Sequence, residues 1–410
     1  MNSYFLRPKV PLLFRSGRPF GLRAETLNFP PPSAVAGALR GILFKTRPAE
    51  FAGQANLKHL NAVGVSGPLL ARRALDGGRV ELFFPKPTDA AYFTKSGEVA
   101  LHHLYPLPMT AETEGMDLPD GGLLPLFLRP HTNSKPCDGP AYWSLDAMLA
   151  WLHGANPAKP KKQYPLENLV ELGVKRLPID RRAHVAVKPD SLTAQESALF
   201  ESNRLDFGPR ELGTAWDNYE YGLLAKCSEN LPEGLFPLGG KGGLTYLEAQ
   251  PHWWPAQCPR TLSHALTGKD RLRLVLATPA DFKDGWKPGW LIKQSDGSWQ
   301  GSPPGMEGVL VLRLRAAALE RWQPHSGWDL LAYKLAHPAG RDFPITPVRR
   351  LVPAGSVYWF SIEQGDAEQA ARLWLRSICD DERSRQDGFG LALPGIWQAP
   401  PKDSTGTSPS

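Results

Sequence analysis

The sequence predicts an α+β protein built from two βαββαβ units, and three observations lead there. Its 410 residues exceed one ordinary core and suffice for two domains of ~150–200 residues. Its 39 glycines and 41 prolines make up about a fifth of the chain against a usual ~12%. With no Gly-X-Y period they exclude collagen. They also disfavour a helical bundle and favour short elements joined by stiff loops. Finally, the chain opens on a strand-helix-strand-strand pattern and closes on strand-helix-strand. At 42% hydrophobic and 21% charged it can bury large cores and is not disordered as a whole.

Residues 4–15 read as a strand ending in the turn Ser16-Gly17-Arg18-Pro19. Pro30-Pro31-Pro32 and Ser33, a good N-cap, start a helix with the stripe Val35, Leu39, Ile42 and Leu43. Gly37 and Gly41 lie four apart on that helix. Each costs ~1 kcal/mol relative to alanine, which predicts a close approach to the backbone there. Residues 62–73 and 79–84 are strand-like runs across a turn, and complete the first part of a ferredoxin-like (RRM-like) unit.

Residues 102–170 read as a Pro/Gly-rich insertion. It comprises an acidic loop (Glu112, Glu114, Asp117, Asp120), a proline-broken stretch, a short helix over 144–153 ended by Gly154, and an exposed linker over 156–165. Residues 176–187 and 198–207 predict a long hairpin whose first arm carries Lys175, Arg176, Arg181 and Arg182. Strand-like runs recur at 244–249, 271–277, 309–314 and 355–363. Asp366 then caps a helix, Gln369 completes a capping-box pair, and Ala367, Ala371, Trp374 and Ile378 form its stripe. A glycine-rich loop over 387–397 enters the last strand. The predicted organisation is a first domain over 1–210 with the insertion at about 102–170, a second over 211–400, and a disordered tail over 401–410.

Several function classes are disfavoured. Cys137, Cys227, Cys258 and Cys379 form no CxxC pair, so neither a structural zinc site nor a disulfide framework is expected. HExxH, GxSxG and a Walker loop are all missing. In Gly239-Gly240-Lys241-Gly242-Gly243, Leu235 stands where a phosphate loop has its first glycine and Gly242 where it has Ser or Thr. The adjacent pair His102-His103, read as lying in a proline-flanked loop, cannot chelate well, so no metal and no cofactor are expected. With no signal-peptide h-region and no ~18-residue apolar run, the expectation is a soluble, cytoplasmic protein without a membrane partner.

The net charge is +6, but residues 1–47 hold Arg7, Lys9, Arg15, Arg18, Arg23, Arg40, Lys45 and Arg47 against Glu25 alone. Such a local excess fits a polyanion partner or, alternatively, a solvated basic face. Three further features suit a nucleic-acid backbone. In the Gly-Gly-Lys-Gly-Gly loop, glycine N–H groups can reach phosphates beside Lys241, although a flexible interdomain turn would look the same. Gly388-Phe389-Gly390 with Gly395 loosely follows an RNA-recognition consensus, with Asp387 where a basic residue belongs. Arg349-Arg350 beside Tyr358 and Trp359 suits a stacked single strand, or else Trp359 is core. The tryptophans Trp253-Trp254, Trp286, Trp290 and Trp299 read as loop anchors rather than sugar platforms.

Gly388-Phe389-Gly390-Leu391-Ala392-Leu393-Pro394-Gly395 matches the GhGxxxxG loop that marks the RAMP superfamily of CRISPR-associated proteins. Within it the chain resembles the third subunit of the Cmr module, the type III-B effector complex. The resemblance runs nearly end to end through LLFRSGRPF, FPPPSAVAGALRG, GPLL followed by LFFPKPTD, LATPADFKDGW, GWDL and RRLVPAGSVYWF. It implies two ferredoxin-like domains and no catalysis. It also implies a role in capping one end of the crRNA, holding its repeat-derived 5′ tag. The implied protein partners are the large polymerase/cyclase-like subunit and the neighbouring backbone RAMP subunit. The residues and the resemblance together nominate Arg15, Arg18, Arg40, Lys45, Arg181, Arg182, Lys241, Arg349, Arg350, Gly388, Phe389 and Gly390 as RNA contacts. The glycine-rich loops add Gly239, Gly240, Gly242, Gly243 and Gly395. The main rival is a metal-independent RAMP endoribonuclease, for which His184 is the candidate acid or base. Two others are the equivalent type III-A subunit and a pure protein scaffold.

Overall fold

A computed structural model of the chain describes residues 2–17, 26–51, 54–75, 80–95, 98–108, 118, 122–129, 131–155, 164–165, 172–208, 219–327 and 346–400. Arg18, the acidic loop, most of the 156–165 linker, the boundary at 210 and the 401–410 tail lie outside the described residues.

The chain starts with β1 (Asn2–Pro8), α1 (Pro32–Thr46), α2 (Pro48–Phe51), α3 (Gln54–Ala62), β2 (Val65–Ala74) and β3 (Val80–Pro85). Next come β4 (Ala90–Lys95), β5 (Glu98–Pro106), β6 (Leu126–Arg129), β7 (Lys135–Pro136), β8 (Tyr142–Ser144) and α4 (Leu145–Leu152). They are followed by β9 (Tyr164–Pro165), β10 (Gly173–Val174), β11 (Ile179–Val187), β12 (Ala194–Leu205), β13 (Tyr219–Cys227), β14 (Gly234–Pro237) and β15 (Leu244–Ala249). The second half holds α5 (Arg260–Leu266), β16 (Arg271–Leu276), β17 (Ile292–Lys293), β18 (Trp299–Gly301), β19 (Val311–Ala318), β20 (Gln323–His325) and β21 (Arg349–Leu351). It ends with β22 (Val357–Gln364), a 3-10 helix (Ala367–Leu373), β23 (Arg376–Ser377), α6 (Glu382–Asp387) and β24 (Leu391–Ile396). The protein is therefore a mixed structure of antiparallel sheets with few helices.

The first large sheet has the order β10-β8-β3-β2-β13-β1-β15-β14, and the second β17-β18-β19-β22-β16-β24-β23. A smaller sheet is built from β4 to β7 and β9, and β11–β12 and β20–β21 are two-stranded ribbons. Strand periodicity explains the layers. Tyr4 and Leu6 turn to one face of the first sheet and pack with Val35, Leu39 and Leu43 of α1. Phe5, Leu69 and Leu224 turn to the other face, where they meet Val275, Trp359 and Leu393 of the second sheet. The two sheets thus share one core, so Trp359 is core and not a base platform. The far face of the second sheet buries Leu272, Leu274, Phe360 and Phe389 against Ala367, Ala370 and Leu373 of the 3-10 helix.

The insertion region is pinned into this arrangement rather than hanging from it. Arg273 of β16 bonds Asp89 and the Trp151 carbonyl, while Trp151 Nε1 donates to Asp89 Oδ1 at 2.9 Å. His103 Nε2 lies 3.0 Å from Asp89 Oδ2. Asp89 and Arg273 are fully buried. Although burial opposes the charge, Arg273 and His103 hold the Asp89 carboxyl down at about 2.

Four local expectations are corrected. His102 and His103 sit in strand β5, not a loop, because Val99, Leu101, His103 and Tyr105 alternate into the core. Ser33 is not the cap: α1 starts at Pro32 behind Pro31, leaving the Ser33 hydroxyl 3.0 Å from His325 Nε2. The capping box of Asp366 and Gln369 forms, but the helix it starts is 3-10 and stops at Leu373, so Trp374 and Ile378 fall outside it. A Cβ added at Gly37 or Gly41 would meet nothing within 4 Å, so no segment of this chain approaches there among the described residues. Two helices of the expected βαββαβ units are also missing. The described residues between β13 and β15, and between β16 and β19, hold none. Both stretches are dense in proline and glycine, which remove helical hydrogen bonds or cost ~1 kcal/mol each.

Candidate nucleic-acid interface

After β1 the chain runs through Lys9 to Gly17, and this short segment is the axis of the candidate site. Leu12 exchanges backbone hydrogen bonds with Leu205 at the base of the β11–β12 hairpin, at 2.8 and 2.7 Å. Gly240 N donates to the Leu13 carbonyl at 2.7 Å, which seats the Gly-Gly-Lys-Gly-Gly loop alongside. Further on, Gly17 N donates to the Pro324 carbonyl at 3.4 Å and joins the β20–β21 ribbon. A Cβ at Gly17 would fall 2.7 Å from Ser326 N, so glycine permits that approach. Hairpin, loop, N-terminal segment and ribbon form one backbone-linked path.

Along this path the cations are exposed. Lys241 stands at φ +54° between Gly239 and Gly242, both of positive φ, with its Nζ 5.6 Å from the Phe200 ring centre. Arg350 lies 5.1 Å over the Trp322 ring, itself 40% exposed. Neither cation has an acidic partner among the described residues. Arg15 is exposed on the N-terminal segment, and Arg181 and Arg182 are exposed near the hairpin base, with Arg182 2.7 Å from Asp180. Gly243 is buried, where a Cβ would strike the Leu238 carbonyl, so this glycine closes the loop rather than lining it. Lys45 is exposed in the last turn of α1, twelve residues or about 18 Å along that helix from Ser33.

Of the remaining nominated residues that are described, Arg40, Gly388, Phe389, Gly390 and Gly395 are buried, against the expectation that they contact RNA, and Arg349 is half-buried and ion-paired. Arg40 is only 7% exposed: it pairs with Asp387 at 2.5 Å and donates to the Val63 carbonyl at 2.8 and 3.1 Å. Arg349 bonds Asp281 at 2.6 Å and lies 5.2 Å over the Phe389 ring. Phe389 is completely buried. Gly388 at φ +89° ends α6, and a Cβ there would stand 2.6 Å from the Gly67 carbonyl. Gly390, at φ +67°, packs against Cys379, and Gly395 packs against Leu152. The GhGxxxxG loop is therefore a clasp. It holds α1, β2 and the second sheet together from beneath the exposed path.

Sequence reasoning missed Trp322, Phe200 and His325, which support the path. His325 is buried at the junction of α1 and β20. It lies 5.6 Å from Phe389, and burial, reinforced by the Arg349 charge, pushes its pKa down to about 4. It lines a cleft of about 210 Å³ with Phe29, Tyr142, Lys86, Arg176 and Glu320. The nuclease candidate His184 is engaged structurally: its Nε2 lies 2.7 Å from Ser202 Oγ and its ring stacks on Phe200. Among the described residues no helix is long and apolar enough to cross a membrane.

The family model described as CRISPR-associated protein (Cas_Cmr3) matches residues 4–397. The chain belongs to this family. No curated protein sequence matches it. Two similar solved structures are cryo-EM structures of the Type III-B Cmr-beta bound to cognate target RNA, one of them also with AMPPnP. Each is 15% identical over 87% of this chain and 86% of that chain, with TM-scores of 0.43 and 0.42. A crystal structure of the Csm3-Csm4 subcomplex of the type III-A interference complex matches at 11% identity, covering 89% of this chain and 94% of that chain, TM-score 0.37. Similarity at this distance carries no residue-by-residue correspondence. The family match nevertheless spans both large sheets, the clasp and the exposed path.

Proposed function

We propose that the chain is a non-catalytic, crRNA-binding end-cap subunit of a cytoplasmic type III-B CRISPR effector complex. In this reading it holds the repeat-derived 5′ tag and docks the large polymerase/cyclase-like subunit and the neighbouring backbone RAMP subunit. The observation that carries the RNA role is the backbone-linked path, which strings Arg15, Arg181, Arg182, Lys241 and Arg350 along exposed ground. Arg350 over the exposed Trp322 pairs a cation with an aromatic ring, the combination that tracks a single-stranded backbone while stacking its bases, and Lys241 beside Phe200 adds a second cation at the hairpin. Glycine N–H groups beside Lys241 add donors for phosphate oxygens.

Each large sheet reads as a reduced ferredoxin-like unit. In the first, β15-β1-β13-β2 reproduces the 4-1-3-2 strand order with α1 as its first helix; in the second, β24-β16-β22-β19 does so with the 3-10 helix as its second. Among the described residues each unit is helical in one of its two crossovers: α1 to α3 between β1 and β2, and the 3-10 helix with α6 between β22 and β24. The non-catalytic reading is supported by the engagement of His184 with Ser202 and Phe200, which leaves it a packing role.

A salt-titrated anisotropy assay tests this reading, with labelled RNA bearing the 5′ tag against a scrambled tag and the RNA checked for integrity afterwards. The expected result is tag-preferring binding to RNA that stays intact. Equal binding of both RNAs would favour the scaffold, and cleavage lost in His184→Ala would favour the nuclease.

A further inference from the structure

The cleft of about 210 Å³ beside His325 is enclosed by the segments that form the exposed path. One wall is residues 27–32, which run straight on from the N-terminal segment: Leu27 N donates to the Phe14 carbonyl at 2.8 Å, and Arg15 pairs with Thr26. A second wall is Gln323 to His325 of the β20–β21 ribbon, and Arg176, just before the β11–β12 hairpin, adds to a third. The lining is apolar and stiff. Pro31, Pro68, Pro85, Pro279 and Pro324, each with φ fixed by its ring, stand there with Phe29 and Tyr142, whose rings lie 5.5 Å apart.

The polar groups of the cleft, by contrast, are uncommitted. His325 is 3% exposed; its Nε2 lies 3.0 Å from the Ser33 hydroxyl, while its Nδ1 is buried with no hydrogen-bond partner among the described residues. The Tyr142 hydroxyl, whose pKa burial pushes up, and the exposed amides of Asn28 and Gln323 form no hydrogen bond among the described residues either. Buried polar groups are normally paired, so several left open around one apolar cleft form the pattern of a ligand site. Lys86 is the exception, since its Nζ donates to the Pro87 and Ala90 carbonyls at 3.0 and 2.6 Å. With Lys86 engaged, Arg176 and Glu320 leave one charge of each sign, which suits a neutral planar ring better than a phosphate. The cleft is also smaller than the ~300 Å³ at which drug-sized sites begin, so it admits one ring system and not a helix or strand.

We propose that one base of the bound RNA swings out of the strand into this cleft, its face against Tyr142 and the prolines and its edge toward Asn28, Tyr142, Gln323 and His325. The inference rests on reading the exposed path as the RNA site. The path meets phosphates, which are the same in every sequence, whereas amides and hydroxyls can tell one splayed base from another by its edge. The cleft, and not the path, then supplies base preference. Walls of proline are set before the base arrives, which keeps the cost of ordering low.

An abasic scan tests this: tag RNAs that each lack one base are titrated by anisotropy against the unaltered chain and against Tyr142→Phe/Gln323→Ala, with thermal unfolding as the check that the variant folds. The RNA lacking the base that enters the cleft should bind the unaltered chain at least about tenfold more weakly than intact tag RNA. The double variant should erase that difference by weakening the intact RNA alone, while a loss at a base stacked on Trp322 should survive in it. Equal affinity for every abasic RNA would overturn the inference, as would losses that the double variant leaves untouched. If Lys241→Ala/Arg350→Ala still weakened binding in that case, the path would stand and only the cleft would fall. Tag RNA that failed to bind the unaltered chain at all would sink the parent reading, and this inference with it. Unchanged RNA binding together with loss of the double variant from the effector complex would assign the cleft to a partner's side chain, also against the proposal.

Discussion

Residues 239–243 and 388–390 both turn through left-handed glycines, and both stand beside a basic residue. Yet Lys241 lies open above Phe200, while the Arg40 that meets Gly388's neighbour Asp387 is sealed inside. In the first loop the glycines at 239 and 242 shape a surface that presents a cation. In the second, Gly388 lets α6 end against the Gly67 carbonyl, where no side chain fits. Glycine content therefore reports backbone angle and close approach, and only the surroundings decide whether the approaching partner belongs to the same chain.

The largest effect expected from this contrast is at Arg40. Arg40→Met leaves Asp387 buried without its counter-charge and removes the bonds to the Val63 carbonyl, a loss of about 3–5 kcal/mol. Urea unfolding should show it as a large drop in midpoint, and a variant of native stability would mean that the clasp is not structural.

His325 adds a pH dependence to the same clasp. Its pKa in the folded chain is about 4 against an ordinary value of 6.5, so the unfolded chain holds the proton more tightly. The stability this group contributes is complete above about pH 6.5 and is lost as pH falls toward 4, at most about 3 kcal/mol. His325→Gln keeps a polar partner for Ser33 and should flatten part of the acid limb of a plot of unfolding free energy against pH. An unchanged limb would contradict the assignment.

Gly388→Ala should cost less, about 2 kcal/mol, from positive φ and from contact with backbone that cannot yield. Thermal unfolding checks it, with Gly242→Ala as the reference: its φ is +71° but its added Cβ meets nothing, so it should lose less.

The same contrast explains what the sequence revealed and what it hid. The β11–β12 hairpin, β22, the Asp366 capping box and the Gly154 stop of α4 follow from local patterns, and the structure has them. Arg40 and Phe389 misled because their partners lie far away in the chain: Arg40 is 347 residues from Asp387. A charge read from sequence is assumed to face water until its counter-ion is known. His103 was misplaced for a similar reason, since prolines nearby outweighed the alternation of Val99, Leu101, His103 and Tyr105 that marks β5. Lys241 and Arg350 stand exposed with no acid paired to them among the described residues, but the rings of Phe200 and Trp322 beneath them required the fold.

The most direct test of the central claim is the salt dependence of tag-RNA binding in two double variants. Lys241→Ala/Arg350→Ala should leave the unfolding midpoint in place and weaken binding. It should also reduce the slope of log K against log salt by about 1.4, or ~0.7 for each phosphate no longer neutralised. Gly388→Ala/Gly390→Ala should lower the midpoint and leave the slope of the folded protein unchanged. If the first variant kept the parent slope while the second reduced it, the RNA would lie on the clasp and not on the exposed path.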